Sequence, residues 1–307
     1  MTSDRALDVR PEPVVVATPR GAVEYASIGS GPAVLCLHGA MGGYDQGLLL
    51  ARTIGAPGYH YIGPSRPGYL GTPLSRGRGP EEQADLYASL LDALGVERCG
   101  VMAVSGGGPS AVHFALRHRH RCWGLVLVST CADRLDTKPP LSFVVRKLLM
   151  RVPGVAGAAR RKVLQDPESV ARRSVTKPEF FDRLRRDEPA WRLLQELQAS
   201  TTDRMTRRFP GTDNDVVVSR TRTYPLEEIR VPTLVVHGSA DPHVPFDRNG
   251  AVFARRVPGA QLLVLEGGEH AAIFTHRREA QAEVSAFLAA HADRRHDRER
   301  ETWNRQE

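Results

Sequence analysis

Ser105 lies where a short apolar run, Val101 to Val104, meets three glycines and Pro109. The pattern predicts a strand, a very tight turn and a helix, with the serine on the turn and its hydroxyl exposed at the edge of a sheet. Gly107 leaves room for the returning chain, and Pro109 suits the first turn of a helix. We interpret the segment as a nucleophile elbow.

A glycine-rich turn between a strand and a helix can instead bind phosphate. That alternative requires Lys-Ser or Lys-Thr after the glycines, or Gly-x-Gly-x-x-Gly, and neither pattern occurs here. The elbow departs from the usual Gly-x-Ser-x-Gly at Ala103, and we expect the strand crossing to tolerate this one methyl group. A nucleophile is therefore the favoured interpretation of Ser105.

A serine hydroxyl is a weak nucleophile unless a base lies within hydrogen-bonding distance and an acid orients that base. Two later strands, Thr233 to His237 and Gln261 to Leu265, end in loops that supply these groups. Asp241 follows the first strand in a turn stiffened by a proline, and His270 follows the second after a Gly-Gly bend. We expect both side chains to lie at the sheet edge that carries Ser105.

Acyl transfer also needs backbone N–H donors for the developing oxyanion. The elbow offers Gly106, and the loop after the apolar run Ala33 to Leu37 offers a second donor, Ala40, with Met41 as the alternate. Glycines in this loop allow main-chain amides to approach a reacting carbonyl closely. We expect an oxyanion hole between the two loops.

Strand and helix patterns alternate along most of the chain, which predicts an α/β fold with a mostly parallel central sheet flanked by helices. The alternation stops after the strand Gly124 to Ser129 and resumes about 90 residues later, so we expect an inserted all-helical cap over the strand ends. The expected parts are a flexible arm (1–12), a core (13–133 and 225–290), the helical cap (134–224) and a charged disordered tail (291–307).

Five segments, in this order, resemble the α/β-hydrolase superfamily: His38-Gly39, Ser65–Tyr69, Ala103–Gly107, Gly238–Pro245 and Gly267–His270. The resemblance covers nearly the whole chain and points to its serine esterase or proline-iminopeptidase-like branch, in which the helical cap follows the sixth strand. It implies that Ser105 is the nucleophile, His270 the base and Asp241 the acid, with Ala40 and Gly106 as oxyanion donors. Asp133 is the alternative acid, because some members place the acid after that earlier strand.

Three further side chains, His38, Tyr44 and His243, are candidates for the lining of a substrate pocket. The alternative for His38 is a structural hydrogen-bonding role, and the alternative for His243 is a role in packing. Asn214 and Asp215 stand where the cap returns to the core and either face the site or cap a loop. The remaining histidines are explained by surface or core positions, so we expect no metal and no cofactor.

Composition and charge limit the kinds of binding partner and the cellular location that we expect. The net charge is +7, and residues 142–222 hold 18 Lys and Arg against 10 Asp and Glu, interleaved and with few aromatics, so we expect solvated helix faces and no nucleic-acid binding. No apolar run reaches about 18 residues, which predicts no membrane span. The N-terminus lacks the apolar segment of a secretory signal, and four cysteines without paired spacing favour reduced thiols in a cytoplasmic protein. The oligomeric state is left open.

These features favour a cofactor-free serine hydrolase that cleaves an ester, thioester or lactone of a small-to-medium apolar substrate. An aminopeptidase of the proline-iminopeptidase type, a C–C bond hydrolase and a cofactor-free peroxidase use the same triad and are the alternatives. A non-catalytic ligand receptor is disfavoured because all three triad positions are occupied.

Overall fold

The computed structural model of the chain describes residues 11–135, 147–150, 152 and 154–292. Within them, eight strands form one sheet in the order β1-β2-β4-β3-β5-β6-β7-β8. Strands β1 and β2 are antiparallel to their neighbours and β3 to β8 are parallel. The strands are β1 (Val14–Thr18), β2 (Gly21–Ile28), β3 (Ala33–Leu37), β4 (His60–Pro64), β5 (Cys99–Val104), β6 (Cys122–Val128), β7 (Thr233–Gly238) and β8 (Gln261–Leu265).

Helices flank both faces of the sheet. In the core they are α1 (Tyr44–Ile54), α2 (Pro80–Ala93), α3 (Gly108–Arg117), α9 (Gly250–Arg256), α10 (Ala272–Thr275) and α11 (Arg277–His291). Between β6 and β7 come α4 (Val155–Gln165), α5 (Pro167–Ala171), α6 (Pro178–Arg186), α7 (Glu188–Thr202) and α8 (Phe209–Thr221). We call the described residues from 147 to 224 the helical insert; no strand occurs among them.

The apolar run of β3 is buried on both faces, as expected of a central parallel strand. Val34 and Cys36 join the core beneath α1, α11 and the helical insert, whereas Leu35 and Leu37 join the core beneath α2 and α3. This alternation places side chains of every second residue in the same layer. Strand β3 pairs with β5 in parallel, so the carboxyl ends of these two strands lie side by side.

Two helices have bounds that contacts with distant side chains set. Helix α1 begins at Tyr44, before the apolar run Leu48 to Ile54, because the Tyr44 N–H, which has no partner within the helix, donates to the Ser65 hydroxyl at 3.1 Å. Residues Phe246 to Arg256 form a short 3₁₀ turn followed by α9. The two are separated by Asn249, whose side-chain amide bonds Pro245 O and Ala132 N.

Helix α11 ends at His291, the first residue of the predicted tail, whose ring packs on Phe287 with 4.7 Å between ring centres. Most of the predicted arm, residues 136–146, 151 and 153 of the predicted cap, and the tail from residue 293 lie outside the described residues. Across the described part of the chain, no helix has the length and apolar character needed to cross a membrane.

Candidate active site

The backbone at Ser105 is in the left-handed region, with φ of 50°. Strand β5 ends at Val104, and a single 3₁₀ turn, Ser105–Gly107, leads directly into α3. A non-glycine residue in this region costs about 1–3 kcal/mol and persists only where its surroundings hold it. The Thr130 hydroxyl donates to Ser105 O at 2.6 Å and helps to hold it.

At Gly107 of the elbow, the neighbouring backbone approaches too closely for any side chain. A Cβ at Gly107 would lie 2.6 Å from Leu37 O and 2.7 Å from His38 O, the end of the neighbouring strand β3. No side chain fits against backbone at that distance. Ala103, where a glycine is usual, is fully buried in the core without disturbing the pairing of β5 with β3 and β6.

The structure brings Ser105, His270 and Asp241 together from three different loops. His270 Nε2 lies 3.2 Å from Ser105 Oγ, and His270 Nδ1 lies 2.7 Å from Asp241 Oδ2. Because the carboxylate accepts, Nδ1 carries the proton and Nε2 is left to accept from the serine hydroxyl. This chain of groups can take the proton of Ser105 as its oxygen attacks a carbonyl.

Asp241 is 4% exposed, and both of its carboxylate oxygens accept hydrogen bonds, Oδ2 from His270 and Oδ1 from the backbone. Oδ1 accepts from the backbone N–H groups of His243 at 2.8 Å and Val244 at 2.9 Å. Burial alone would raise the pKa of Asp241, but His270 and these two amides outweigh it and the pKa is lowered. The carboxylate is therefore ionised at neutral pH and fixed in orientation.

The Gly39–Ala40 peptide presents its N–H toward the elbow. Its carbonyl, Gly39 O, accepts from His38 Nδ1 at 2.7 Å and faces Arg66 Nη2 at 3.4 Å. Because a trans peptide is planar, the Ala40 N–H points the opposite way from that carbonyl. It has no partner among the described residues, and its nitrogen lies 3.4 Å from the ideal Cβ position of Gly106.

The alternate donor, Met41, is already engaged. Its N–H donates to the Thr212 hydroxyl at 3.0 Å. The geometry therefore favours Ala40 over Met41 as the partner of Gly106.

Of the two interpretations of His38, a structural hydrogen-bonding role agrees with the structure and a place in the pocket lining does not, because the side chain is fully buried. Nδ1 donates to Gly39 O, and Nε2 accepts from the Arg66 N–H at 3.0 Å. Burial, and then the charge of Arg66, lower the pKa of His38 well below its ordinary value, which keeps this ring neutral. Its role is to join the loop after β3 to the loop after β4.

A second group of charges borders the elbow. The Arg66 guanidinium, 1% exposed, pairs with both carboxylate oxygens of Asp215, and the Tyr69 hydroxyl donates to the same carboxylate at 2.5 Å. Asp215 Oδ2 lies 2.7 Å from the ideal Cβ position of Gly106. Burial by itself would lower the pKa of Arg66, but Asp215 raises it overall, so the guanidinium stays protonated.

The remaining candidate residues from the sequence, His243, Tyr44 and Asp133, lie at three different positions in the structure. His243 is exposed and packs edge-on against His270, with 5.3 Å between ring centres. Tyr44 lines a separate cavity of about 600 Å³ between α1 and helices α4 and α7, whose lining includes none of the three triad residues. Asp133, the alternative acid, is exposed and accepts from the neighbouring Arg134 N–H.

Comparisons with known proteins agree with this architecture. The model of the family described as "alpha/beta hydrolase fold" matches residues 32–277. The chain belongs to the α/β-hydrolase family. A solved α/β-hydrolase fold protein from Nakamurella multipartita superposes with a TM-score of 0.78 and 33% identity, over 89% of this chain and 99% of that one.

Two curated relatives of this α/β-hydrolase are similar in sequence. The "2-hydroxy-6-oxononadienedioate/2-hydroxy-6-oxononatrienedioate hydrolase 2" of Pseudomonas putida is 28% identical over 87% of this chain and 91% of its own length. The "Uncharacterized hydrolase YcgS" of Bacillus subtilis (strain 168) is 32% identical over 43% of this chain and 46% of its own length.

Several residues at the site were not assigned a role from the sequence. Arg66 lies in a segment that carries the family resemblance, but nothing in the sequence shows that it meets Asp215, about 150 residues later. Glu269, beside the histidine, accepts from the N–H and hydroxyl of Thr176 at 2.7 and 2.5 Å and so joins the His270 loop to the helical insert. Their partners are remote in sequence, and only the folded chain identifies them.

Proposed function

We propose that this α/β-hydrolase is a cofactor-free serine hydrolase that cleaves a carboxylic ester, thioester or lactone of a small-to-medium apolar substrate. The observation that carries the proposal is the hydrogen-bonded chain from Ser105 through His270 to Asp241, with the acid held by two backbone amides. A serine placed in this way on a strained turn is the arrangement that nucleophilic catalysis requires.

In the proposed reaction, Ser105 Oγ bonds to the carbonyl carbon while its proton passes to His270 Nε2. The N–H groups of Ala40 and Gly106 stabilise the oxyanion, each donor being worth about 2.7–4 kcal/mol in comparable sites. The bond to the leaving alkoxide breaks, and the alkoxide takes the proton from His270. Water then attacks the acyl-enzyme with His270 as base, which releases the acid and restores Ser105.

An aminopeptidase is less well supported. An enzyme of that kind needs a carboxylate free to hold the substrate amine, and Asp215 is the carboxylate beside Gly106. Both of its oxygens already accept from Arg66, and one also accepts from Tyr69. A substrate amine would have to compete with a buried guanidinium.

The direct experiment is turnover of a p-nitrophenyl ester series from acetate to decanoate by the wild-type protein and by Ser105→Ala. The proposal expects measurable kcat/KM on at least the short chains and loss to background in the variant. Aminoacyl-naphthylamides, run in parallel, separate ester from aminopeptidase activity. Ester turnover that persists in Ser105→Ala contradicts the proposal.

C–C bond hydrolysis is the second candidate, favoured by the similarity of nearly the full chain to a dienedioate hydrolase. The same three residues serve both reactions, so Ser105→Ala does not distinguish them. A vinylogous 1,5-diketone acid, whose absorbance falls on cleavage, does. Higher kcat/KM on that compound than on any ester would replace the ester proposal with this one.

A further inference from the structure

One segment of the helical insert contacts the loop after β3, which carries Ala40, and the loop after β4, which carries Arg66. We call residues 205–215 the return segment; it comprises a 3₁₀ turn beginning at Met205 and the first two turns of α8. Two main-chain hydrogen bonds join it to the loop after β4, from the Leu70 N–H to Arg207 O at 3.0 Å and from the Gly211 N–H to Gly68 O at 2.8 Å. The contact is therefore backbone on backbone.

Thr212 of the return segment joins it to the loop after β3. Its hydroxyl accepts from the Met41 N–H at 3.0 Å and donates to Arg208 O at 2.9 Å, so both of its hydrogen-bonding directions are used. Met41 has φ of 58°, a conformation that a methionine adopts only under constraint. The bond to Thr212 is a constraint on this peptide, which follows Ala40 directly.

Arg208 reinforces the same attachment. Its side chain is fully buried, and its guanidinium donates to Asp45 Oδ1 at 3.1 Å, to Asp45 Oδ2 at 2.7 Å and to Met41 O at 3.4 Å. The carbonyl and the N–H of Met41 are thus both held by the return segment.

Asp215 acts from the other side of Ala40. It fixes the Arg66 guanidinium, which faces Gly39 O, the carbonyl of the peptide whose N–H is the proposed oxyanion donor. The Gly39–Ala40 peptide is accordingly bounded by Arg66 with Asp215 on one side and by Met41 with Thr212 on the other.

We infer that Thr212 and Asp215 are positioning residues that align the Ala40 N–H for the oxyanion, so that the return segment is part of the catalytic site. This inference rests on the proposed serine hydrolase function. Neither residue touches the reacting atoms in this account; each acts through the peptide on one side of Ala40.

The test compares Thr212→Val, which keeps the shape and removes the hydroxyl, with Thr212→Ser, which keeps the hydroxyl. Misalignment of one of two oxyanion donors is expected to lower kcat about 10- to 100-fold with KM little changed, since complete loss of a donor costs about 100- to 1,000-fold. Thr212→Ser is expected to retain kcat within about 3-fold. Thr221→Val is the matched control, because that hydroxyl, on the same helix, bonds Val217 O of its own helix and nothing else in the described part of the chain.

Asp215→Asn provides a second variant in case Thr212→Val folds poorly, with Asp213→Asn, a half-buried carboxylate on the same helix paired to Lys147, as its control. Asp215→Asn is expected to lower kcat, and Asp213→Asn to leave it unchanged. Wild-type kcat in both Thr212→Val and Asp215→Asn, each properly folded, overturns the inference.

Hydrogen exchange of the segment 38–42, followed by mass spectrometry, supplies a readout that does not depend on activity. Faster exchange there in Thr212→Val, with wild-type exchange in Thr221→Val, is the expected result; unchanged exchange overturns the inference. If the wild type neither turns over esters nor reacts with a fluorophosphonate, the proposed function fails, while the exchange experiment still decides whether the return segment holds this loop.

Discussion

Replacing Asp241 by Asn is expected to reverse the polarity of the hydrogen bond to His270. Oδ1 of Asp241 accepts from the N–H groups of His243 and Val244, so the asparagine oxygen must stay in that position. Its NH₂ group then faces His270 Nδ1, which becomes an acceptor. The ring proton moves to Nε2, where it blocks acceptance of the proton from Ser105.

The expected loss follows from that tautomer. The corresponding substitution in the serine protease triad lowers kcat about 10,000-fold, which is about 5.4 kcal/mol of transition-state stabilisation. We expect a loss of this order in kcat on p-nitrophenyl butyrate, with KM within a few-fold of wild type. Asp133→Asn, at the exposed alternative acid, is the control and should keep wild-type kcat.

A stability measurement accompanies the kinetics. The pKa of Asp241 is lowered in the folded protein, so its carboxylate contributes stability above its ordinary pKa of about 3.9, and that contribution is lost as pH falls through the folded value. The difference in free energy of unfolding between wild type and Asp241→Asn should therefore shrink below about pH 4. The reasoning is refuted if Asp241→Asn keeps kcat within 10-fold of wild type, or if Asp133→Asn loses as much.

Two further predictions concern the oxyanion position and its support. Gly106→Ala would place a methyl group 2.7 Å from Asp215 Oδ2, so we expect kcat to fall at least 10-fold on short esters, whereas unchanged kcat means that the space is not used. His38 is neutral in the folded protein and becomes charged in the unfolded protein below about pH 6.5. The free energy of unfolding of the wild type should therefore fall on acidification, and His38 should contribute up to about 1.4 kcal/mol per pH unit to that fall. Urea unfolding at pH 7.5 and 5.5 checks this: His38→Asn should show a smaller pH dependence, and an equal one excludes His38 as its source.

The sequence was most informative where a local pattern determines the local structure. The run Ala33 to Leu37 predicted a strand buried on both faces, and both cores use its residues. The glycines after Ser105 predicted the tight turn because they stand where backbone from β3 approaches closely. The order of Ser105, Asp241 and His270 after three parallel strands was enough to predict that they meet, since the carboxyl ends of parallel strands share one edge.

What the sequence did not predict depends on contacts between distant segments. The start of α1 at Tyr44 depends on a hydroxyl 21 residues away, and no capping residue marks it. Arg66 and Asp215 are ordinary surface residue types that become a buried pair only when the return segment packs on the core. The sequence left His38 between a pocket and a structural role, because a histidine that follows a strand can point either to solvent or into the backbone network beside it.

Reaction with a fluorophosphonate, followed by peptide mass spectrometry, identifies the nucleophile directly. We expect one equivalent of label on Ser105, formed only by the folded protein, abolished by Ser105→Ala and slowed strongly by His270→Ala. Control labelling after heat denaturation should give none. Stoichiometric label on another residue, or no label on a folded protein that turns over esters, would contradict the assignment of Ser105 as the nucleophile.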